Sequence, residues 1–307
     1  MSGGHAHAHH HHHHHHGPAP GARPESRWLI GIGLNAVFVA VEIAAGLYGG
    51  SMALLADAGH NLSDVLALAL AGAAAWLARR PAGPRRTYGF GKATVLAALV
   101  NGLLLVFACG IIAREAITRL GAPTEPATGL MMATAAAGVV VNGLTAWLFT
   151  RGRANDVNVR SAFLHMAADA GISAGVVVAG ALIAYTHQAW IDPLMSLLIL
   201  GVILFGTWDV LREAFDLTMD SAPSQVDVAA VRAFLAACPQ VSAVHDLHVW
   251  PLSTSETALT AHVVRPCGGD DAFLRDACQA LHDRFGIRHA TLQVEHESLE
   301  DCENLHA

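Results

Sequence analysis

Six long apolar stretches occupy most of the chain between residues 28 and 215, and they constrain its fold more than any other feature. They extend over residues 28–48, 52–78, 93–120, 127–150, 159–185 and 191–215. Each is about 20 residues or longer, the length that a helix needs to cross the hydrocarbon core of a bilayer. The 307-residue chain is 53% hydrophobic and only 14% charged, which excludes an ordinary soluble protein. We therefore predict an α-helical membrane protein with six transmembrane helices in residues 27–216.

Basic residues lie in alternate loops and orient the predicted helices. Five are found between the second and third stretches, Arg151 and Arg153 lie between the fourth and fifth with Arg160 at the start of the fifth, and Arg23 and Arg27 precede the first stretch. The loops after the first and fifth stretches contain no lysine or arginine. Because basic loops stay in the cytoplasm, this pattern places both chain termini there. We expect a multi-pass protein of the plasma, or inner, membrane.

Two histidine–aspartate pairs lie inside the second and fifth stretches. His60 and Asp64 are four residues apart, and so are His165 and Asp169. Residues at i and i+4 share one face of a helix, so each pair can present an imidazole and a carboxylate to the same point. An aspartate at the bilayer centre costs about 2.5 to 3.5 kcal/mol on insertion scales, and such residues usually mark function. Two nitrogens and two oxygens suit a tetrahedral divalent metal, zinc above all.

A polar residue inside a membrane helix can also serve only to hydrogen-bond a neighbouring helix. We interpret Glu42 in that way, but two pairs with identical spacing are not explained by it. Asp57, one turn before His60, is a candidate for orienting the imidazole, and a solvated carboxylate at a helix end is the alternative. Asp192, at the predicted membrane edge, is expected to cap a helix.

The two ends of the chain differ from the apolar middle. Residues 1–26 form a polar tail with eight consecutive histidines, which is either an expression tag or a native metal-gathering segment, and which we predict to be disordered. From Asp216 onward the chain has 14 acidic and 5 basic residues, which argues against nucleic acid as a partner. Periodicity there predicts helices at 226–237 and 272–285 and strands at 241–252, 256–265 and 287–297. This αββαβ order suggests a ferredoxin-like domain over 217–300, followed by a tail at 301–307.

Five motifs carry a resemblance to a known family. They are Ser51 to Asp64, Tyr88-Gly-Phe-Gly-Lys92, Asp156 to Asp169, Trp190-Ile-Asp-Pro193 and His245-Asp-Leu-His248-Val-Trp250. From Trp28 onward the chain resembles the cation diffusion facilitator family, in its zinc-transporter branch. The resemblance implies a homodimer with a cytoplasmic ferredoxin-like domain and metal/proton antiport.

The resemblance also implies two sets of metal ligands. The transported ion is expected between His60, Asp64, His165 and Asp169. A cytoplasmic zinc is expected on His245, His262 and Glu295, with His289 or His296 completing the site. The loop at residues 79–92 contains no His, Asp, Glu or Cys, so a further metal site found there in some family members is not expected.

These observations predict a divalent cation transporter, specifically a zinc/proton antiporter that exports zinc from the cytoplasm. Zinc is then the transported substrate and also a structural ion of the cytoplasmic domain, and protons and the lipid bilayer are the other partners. The alternatives are a membrane zinc sensor and a transporter of wider specificity that also carries cobalt, cadmium or nickel. An intramembrane zinc hydrolase would need a glutamate base, as in H-E-x-x-H, and neither pair contains one. We therefore predict that the protein is not an enzyme.

Overall fold

The computed structural model describes residues 26–150 and 157–298. The predicted disordered tail up to residue 25 lies outside these ranges, and so do the loop residues Arg151 and Arg153 and the C-terminal tail at 301–307.

Six long helices follow one another up to residue 218. Their bounds are α1 Ser26–Gly49, α2 Met52–Ala78, α3 Lys92–Gly121, α4 Thr128–Thr150, α5 Val157–Thr186 and α6 Ile191–Thr218. Each end lies within three residues of the predicted one, because the length of an apolar run and the polar turn after it determine where a helix stops. Between α1 and α2, Gly50 adopts a φ of 67°, which glycine accepts without strain.

Five of these helices, within the described residues, are long and apolar enough to cross a membrane. The segments are Met52–Ala78, Lys92–Gly121, Thr128–Trp147, Phe163–Thr186 and Ile191–Thr218. In α1 the apolar stretch Asn35–Gly49 is shorter. Large apolar side chains such as Phe107, Leu103 and Phe205 are exposed on the outside of the helices, which suits contact with lipid. The chain therefore has a helical membrane domain.

The chain forms two compact units, and the first contains residues up to Leu70 together with Asn101–Val210. Its core is built from apolar side chains such as Leu54, Met131, Val176 and Ile183. Helices α4 and α5 approach closely at small residues. A Cβ atom added at Gly138 would lie 2.9 Å from Oγ of Ser173, and one at Gly180 would lie 2.6 Å from Cγ of Met132. Small residues at these positions allow the two helix backbones to approach.

The N-terminus of α2 is capped by a carboxylate from another helix. Asp192, in the first turn of α6, is 1% exposed. Its Oδ1 accepts hydrogen bonds from Oγ of Ser51 at 2.6 Å and from the backbone N–H of Ala53 at 3.2 Å. Its Oδ2 accepts the N–H of Met52 at 2.6 Å. The first N–H groups of a helix have no partner within the helix and carry partial positive charge, so a buried carboxylate is stabilised there.

The second compact unit contains Ala71–Val100 and the chain from Leu211 onward. Its C-terminal part is a small α+β domain with α7 Val228–Ala236, β1 Ala243–Pro251, β2 Thr257–Val264, α8 Asp271–Phe285 and β3 Ile287–Glu295. The strand order is β1-β2-β3, with β1 and β2 antiparallel and β2 and β3 parallel. The parallel pair is connected through α8, as a parallel connection requires a crossover. The element order matches the predicted αββαβ succession.

The sheet of this domain is covered by its two helices. Val231 and Leu235 of α7 and Leu281 of α8 are buried against Leu259 and Ala261 of the central strand β2. Both helices begin at an aspartate whose side chain accepts a backbone N–H, as N-cap residues do. The burial of this one face leaves the opposite face of the sheet available for polar side chains.

We predict that Asp192→Ala destabilises the protein more than Asp209→Ala, which removes an exposed carboxylate from the same helix. The first substitution leaves three donors without an acceptor, and hydrogen bonds to a charged group contribute about 1.5 to 3 kcal/mol each. Thermal unfolding of the detergent-purified variants measures the difference. Equal unfolding midpoints for the two variants would contradict the capping role.

Candidate metal centre

Helices α2 and α5 run antiparallel and place polar residues opposite one another at intervals of about one turn. The three facing pairs are Asp57 with Ser173, His60 with Asp169, and Asp64 with His165. Their closest atoms are 2.9, 3.2 and 3.1 Å apart, respectively. Residue numbers rise along α2 as the partner numbers fall along α5, which is the signature of an antiparallel contact. The i, i+4 spacing within each helix is thus matched by the spacing on its neighbour.

The two histidine–aspartate pairs form one group in which each imidazole approaches both carboxylates. Nε2 of His60 lies 3.2 Å from Oδ1 of Asp169 and 3.8 Å from Oδ2 of Asp64. Nε2 of His165 lies 3.1 Å from Oδ2 of Asp64 and 3.7 Å from Oδ2 of Asp169. One ligand atom from each of the four residues lies within 4.8 Å of the other three. The structure therefore brings together all four residues that the sequence predicts as one site.

Exposure differs across this group. The side chain of Asp169 is 2% exposed and that of His60 is 15% exposed, whereas Asp64 is 24% and His165 37% exposed. The group is closed around Asp169 and open beside His165. An ion would therefore enter or leave on the side formed by His165 and Asp64.

The distances suit a small tetrahedral ion. With metal–ligand bonds of about 2.0 to 2.1 Å, neighbouring ligand atoms of a tetrahedral zinc lie about 3.3 Å apart. The four nitrogen–oxygen distances in the group run from 3.1 to 3.8 Å. Together with the 4.8 Å limit on every pair of ligand atoms, these distances place the four side chains close enough to converge on one zinc-sized ion.

Two further buried carboxyl groups lie beside the four-residue group, and each hydrogen-bonds a neighbouring helix. Asp57 accepts the hydroxyl of Ser173 at 2.9 Å, and Glu42 of α1 accepts the side-chain amide of Asn61 at 2.8 Å. Both carboxyl groups are fully buried. Nδ1 of His60 has no hydrogen-bond partner among the described residues, so Asp57 does not orient that imidazole through a direct bond. Glu42 has the interhelical role that the sequence predicts.

A second cluster lies on the three-stranded sheet. His245 of β1 pairs directly with His262 of β2, and their rings are 5.0 Å apart in an edge-to-face arrangement. Glu295 at the end of β3 reaches both: its Oε2 lies 2.9 Å from Nε2 of His245, and its Oε1 lies 2.9 Å from Nδ1 of His262. The ligand atoms of these three residues lie within 4.8 Å of one another. Each strand therefore contributes one residue.

Asp246 also approaches this cluster, although it is not among the ligands predicted from the sequence. Its Oδ2 lies 3.5 Å from Nε2 of His262, and its Oδ1 lies 2.9 Å from Nε2 of His248. Strict alternation along β1 would direct Asp246 away from His245. The pairing of β1 with β2 is interrupted between His245 and His248, and Asp246 has a φ of 47°. Such a bulge re-aims side chains, and a sequence alone offers little signal for it.

The other predicted ligands of the sheet lie elsewhere. His289 is exposed, with its ring against Tyr88, and His296 is exposed, with Nδ1 3.4 Å from the carbonyl oxygen of Pro266. Neither belongs to the group formed by His245, His262 and Glu295. Burial raises the pKa of the Cys238 and Cys278 thiols, which makes them poor metal ligands at neutral pH.

Both parts of the chain match models of one family. The model of the cation efflux transmembrane domain matches residues 28–217, and the model of the cation efflux protein cytoplasmic domain matches residues 223–297. The chain therefore belongs to the cation efflux family. This finding confirms the resemblance to cation diffusion facilitators that the motifs indicate.

Three relatives of similar length are bacterial metal transporters. The zinc transporter ZitB of Escherichia coli is 38% identical over 274 residues, which cover 88% of this chain and 87% of the relative. The metal cation efflux system protein CzcD of Cupriavidus metallidurans is 34% identical over 280 residues, which cover 91% of this chain and 88% of the relative. The cadmium, cobalt and zinc/H⁺-K⁺ antiporter of Bacillus subtilis is 32% identical over 267 residues, which cover 85% of this chain and 86% of the relative. The solved metal-bound C-terminal domain of the Cupriavidus CzcD transporter covers 23% of this chain and 99% of its own, at 39% identity and a TM-score of 0.20.

We predict that Ser173→Ala lowers the thermal unfolding midpoint and that Ser196→Ala does not. Ser173 supplies a hydroxyl to the buried Asp57, and a buried acceptor that loses its donor costs about 1 to 3 kcal/mol. Ser196 is equally buried, but its hydroxyl has no partner among the described residues. Thermal unfolding of both purified variants is the measurement. A midpoint that falls equally in both would show that the Asp57–Ser173 bond contributes nothing specific.

Proposed function

We propose that this chain is a divalent cation antiporter that exports zinc from the cytoplasm in exchange for protons. The observation that carries the proposal is the group of two imidazoles and two carboxylates held between α2 and α5. The names of the relatives support it, because one is a zinc transporter and another is an antiporter of zinc against protons and potassium. His60, Asp64, His165 and Asp169 are the ligands of the transported ion.

The donor set favours zinc over the hard cations that are abundant in cells. Magnesium and calcium prefer oxygen ligands and six or more of them. Two histidine nitrogens and two carboxylate oxygens match the four-coordinate preference of zinc. The side chains thus select the ion by ligand type and number.

Proton exchange follows from the chemistry of the same ligands. Zinc binds neutral imidazole and ionised carboxylate, so its binding releases protons. When zinc leaves, two carboxylates remain in a largely buried position, and uncompensated charge there is costly. Protons taken up by the imidazoles or by a carboxylate offset that charge. Because zinc and protons compete for the same four side chains, a proton gradient can drive zinc export.

Transport also requires that the group be open to each side of the membrane in turn. In the structure its exposed side is formed by His165 and Asp64, while Asp169 is closed off. A shift of α2 against α5 would separate the two histidine–aspartate pairs and weaken their hold on zinc. We propose a rocking motion of helices around a fixed site, as in other secondary transporters.

The proposed arrangement in the membrane has six spans, with α1 as the first. An even number of spans places both chain ends on one side, and the basic loops assign that side to the cytoplasm. We propose the plasma, or inner, membrane as the location. The C-terminal domain is proposed to be ferredoxin-like, which its αββαβ order supports.

The cluster of His245, His262 and Glu295 is proposed to hold a resident zinc. Two imidazoles and a buried carboxylate within 2.9 Å of each fit such an ion by donor type. The ion would link the ends of three strands and stabilise the sheet. The proposed assembly is a homodimer, and the label of the family model that matches residues 223–297 refers to a dimer.

Wider specificity is the second candidate. The Bacillus relative is named for cadmium and cobalt as well as zinc. Zinc flux measured in the presence of competing cadmium or cobalt distinguishes the two candidates.

We expect zinc flux into sealed vesicles that contain only this protein, faster when the vesicle interior is acidic and slower when a proton ionophore collapses the gradient. Loss of a residue that only hydrogen-bonds a metal ligand typically costs roughly 10- to 100-fold in activity. Asp64→Asn and Asp169→Asn each remove a ligand itself and should therefore reduce zinc flux by more than that. Asp209→Asn, at an exposed carboxylate of α6, is the control and should transport normally. Near-normal flux in either site variant contradicts the ligand assignment. Flux that does not respond to the ionophore contradicts proton coupling.

We also expect the cytoplasmic cluster to bind zinc in the full-length chain when Asp64→Asn and Asp169→Asn have removed the membrane site. Adding His245→Ala and His262→Ala should remove one bound zinc beyond those taken up by the histidine tract of residues 5–16, which is the same in every variant, because both nitrogen ligands of the cluster are lost. Adding His289→Ala and His296→Ala instead is the matched control, since those histidines lie apart from the cluster. Calorimetric titration with zinc compares the two. Equal loss of binding in both would contradict the assignment.

A further inference from the structure

The motif Tyr88-Gly-Phe-Gly-Lys92 contains no His, Asp, Glu or Cys, and its last residue is the first residue of α3. Its backbone lies against the tip of the β1–β2 hairpin. A Cβ atom added at Gly91 would lie 2.5 Å from the carbonyl oxygen of Leu252 and 3.4 Å from Cβ of Ser253. Real Cβ atoms do not approach a backbone oxygen so closely. Gly91 is therefore required by the presence of the hairpin.

The first turn of α3 binds the same hairpin. The backbone N–H of Thr254 donates to Oγ1 of Thr94 at 3.0 Å. The Thr94 hydroxyl in turn donates to the carbonyl oxygen of Gly91 at 2.9 Å. One hydroxyl thus links the hairpin tip to the glycine that admits it. Ser253, at the tip, is 8% exposed, although hairpin tips normally face solvent.

Two further contacts surround this point. The ring of Tyr88 meets the ring of His289, on β3, edge to face with centroids 5.4 Å apart. Lys92 donates to the carbonyl oxygen of Leu217 at 3.2 Å and to the carboxylate of Asp220, both at the end of α6. The motif therefore contacts the hairpin, the third strand and the residues that lead into the C-terminal domain.

The hairpin tip is itself a defined structure. The N–H groups of Leu252 and Ser253 both donate to the carbonyl oxygen of Glu256, at 2.8 and 3.2 Å. On the other side, Gly89 has a φ of 71°, which bends the chain before Gly91 reaches the hairpin. Two turns, each with backbone hydrogen bonds of its own, thus meet at this point.

We infer that Tyr88–Lys92 together with Thr94 is a docking seat for residues 252–254 of the C-terminal domain, and that the seat holds this domain to the start of α3. The Gly-Phe-Gly spacing serves this contact: the first glycine makes the bend and the second admits the Leu252 carbonyl. The domain then moves together with the first turn of α3, and zinc transport, as proposed above, depends on that attachment.

Gly91→Ala tests the seat, with Gly83→Ala as the matched control. Gly83 lies in the same loop, and a Cβ there meets nothing within 4 Å. In the full-length protein, hydrogen exchange of the peptide that covers residues 252–258 should become about five- to ten-fold faster in Gly91→Ala, the size of effect that one net hydrogen bond carries. Exchange in Gly83→Ala should match the unsubstituted protein. Unchanged exchange in Gly91→Ala would contradict the docking of residues 252–254 on this seat.

Thr94→Val gives a second test that is milder for folding. It keeps the shape of the side chain and removes the acceptor for Thr254, whereas Thr118→Val removes a hydroxyl that donates to the carbonyl oxygen of Arg114 within the same helix, α3. Faster exchange at 252–258 is expected in Thr94→Val alone. Equal exchange in the two variants would contradict the binding of the hairpin tip by Thr94.

Zinc flux into vesicles provides the readout for transport. Gly91→Ala and Thr94→Val should transport several-fold more slowly than their two controls. Faster exchange with unchanged flux would overturn the dependence of transport on the seat. Absence of flux in the unsubstituted protein would instead contradict the proposed function, and the exchange comparison would still decide whether the seat exists.

Discussion

The cost of burying charge in an apolar helix bundle governs the arrangement of α2 and α5. Two carboxylates placed among apolar side chains are stable only beside groups that offset their charge. Each is met by the imidazole of the facing helix at 3.1 or 3.2 Å. This cross-helix pairing determines the register of the two helices, and the Asp57–Ser173 bond continues the same register one turn further on. The polar ladder therefore both positions the helices and brings the four candidate metal ligands together.

Rigid attachments at the helix ends complement this polar middle. The turn between α1 and α2 is held by the carboxylate of Asp192 on the first turn of α2, and Arg119 of α3 donates to the carbonyl oxygen of Gly50 at 2.7 Å. These bonds are made by buried or partly buried groups, so exchanging them for water is costly. A transporter needs such fixed points, because a helix shift can open a site only if other parts of the helix keep their position.

The cluster on the sheet of the C-terminal domain also consists of histidines and a carboxylate, but a different geometry brings them together. In the membrane, spacing of four residues on a helix brings a histidine and an aspartate together. On the sheet, direct cross-strand pairing brings His245 to His262, and a third strand adds Glu295. A bulge then admits Asp246, which regular alternation would exclude. The two ends of this sheet thus make different contacts. The cluster of His245, His262 and Glu295 lies at one end, and the hairpin tip that contacts Gly91 lies at the other.

The sequence by itself determined the helix bounds to within three residues, the element order of the C-terminal domain and the grouping of His60, Asp64, His165 and Asp169, since these depend on local periodicity and on motifs of characteristic spacing. On the sheet it predicted His245, His262 and Glu295 together, but it also added His289 and His296, which lie apart, and missed Asp246. Only the tertiary structure decided the remaining side-chain partners. That Asp192 caps α2 rather than its own helix, that Ser173 faces Asp57, and that Gly91 admits Leu252 are contacts between residues more than 100 positions apart. No local pattern encodes such partners, because they follow from the packing of whole helices and strands against one another.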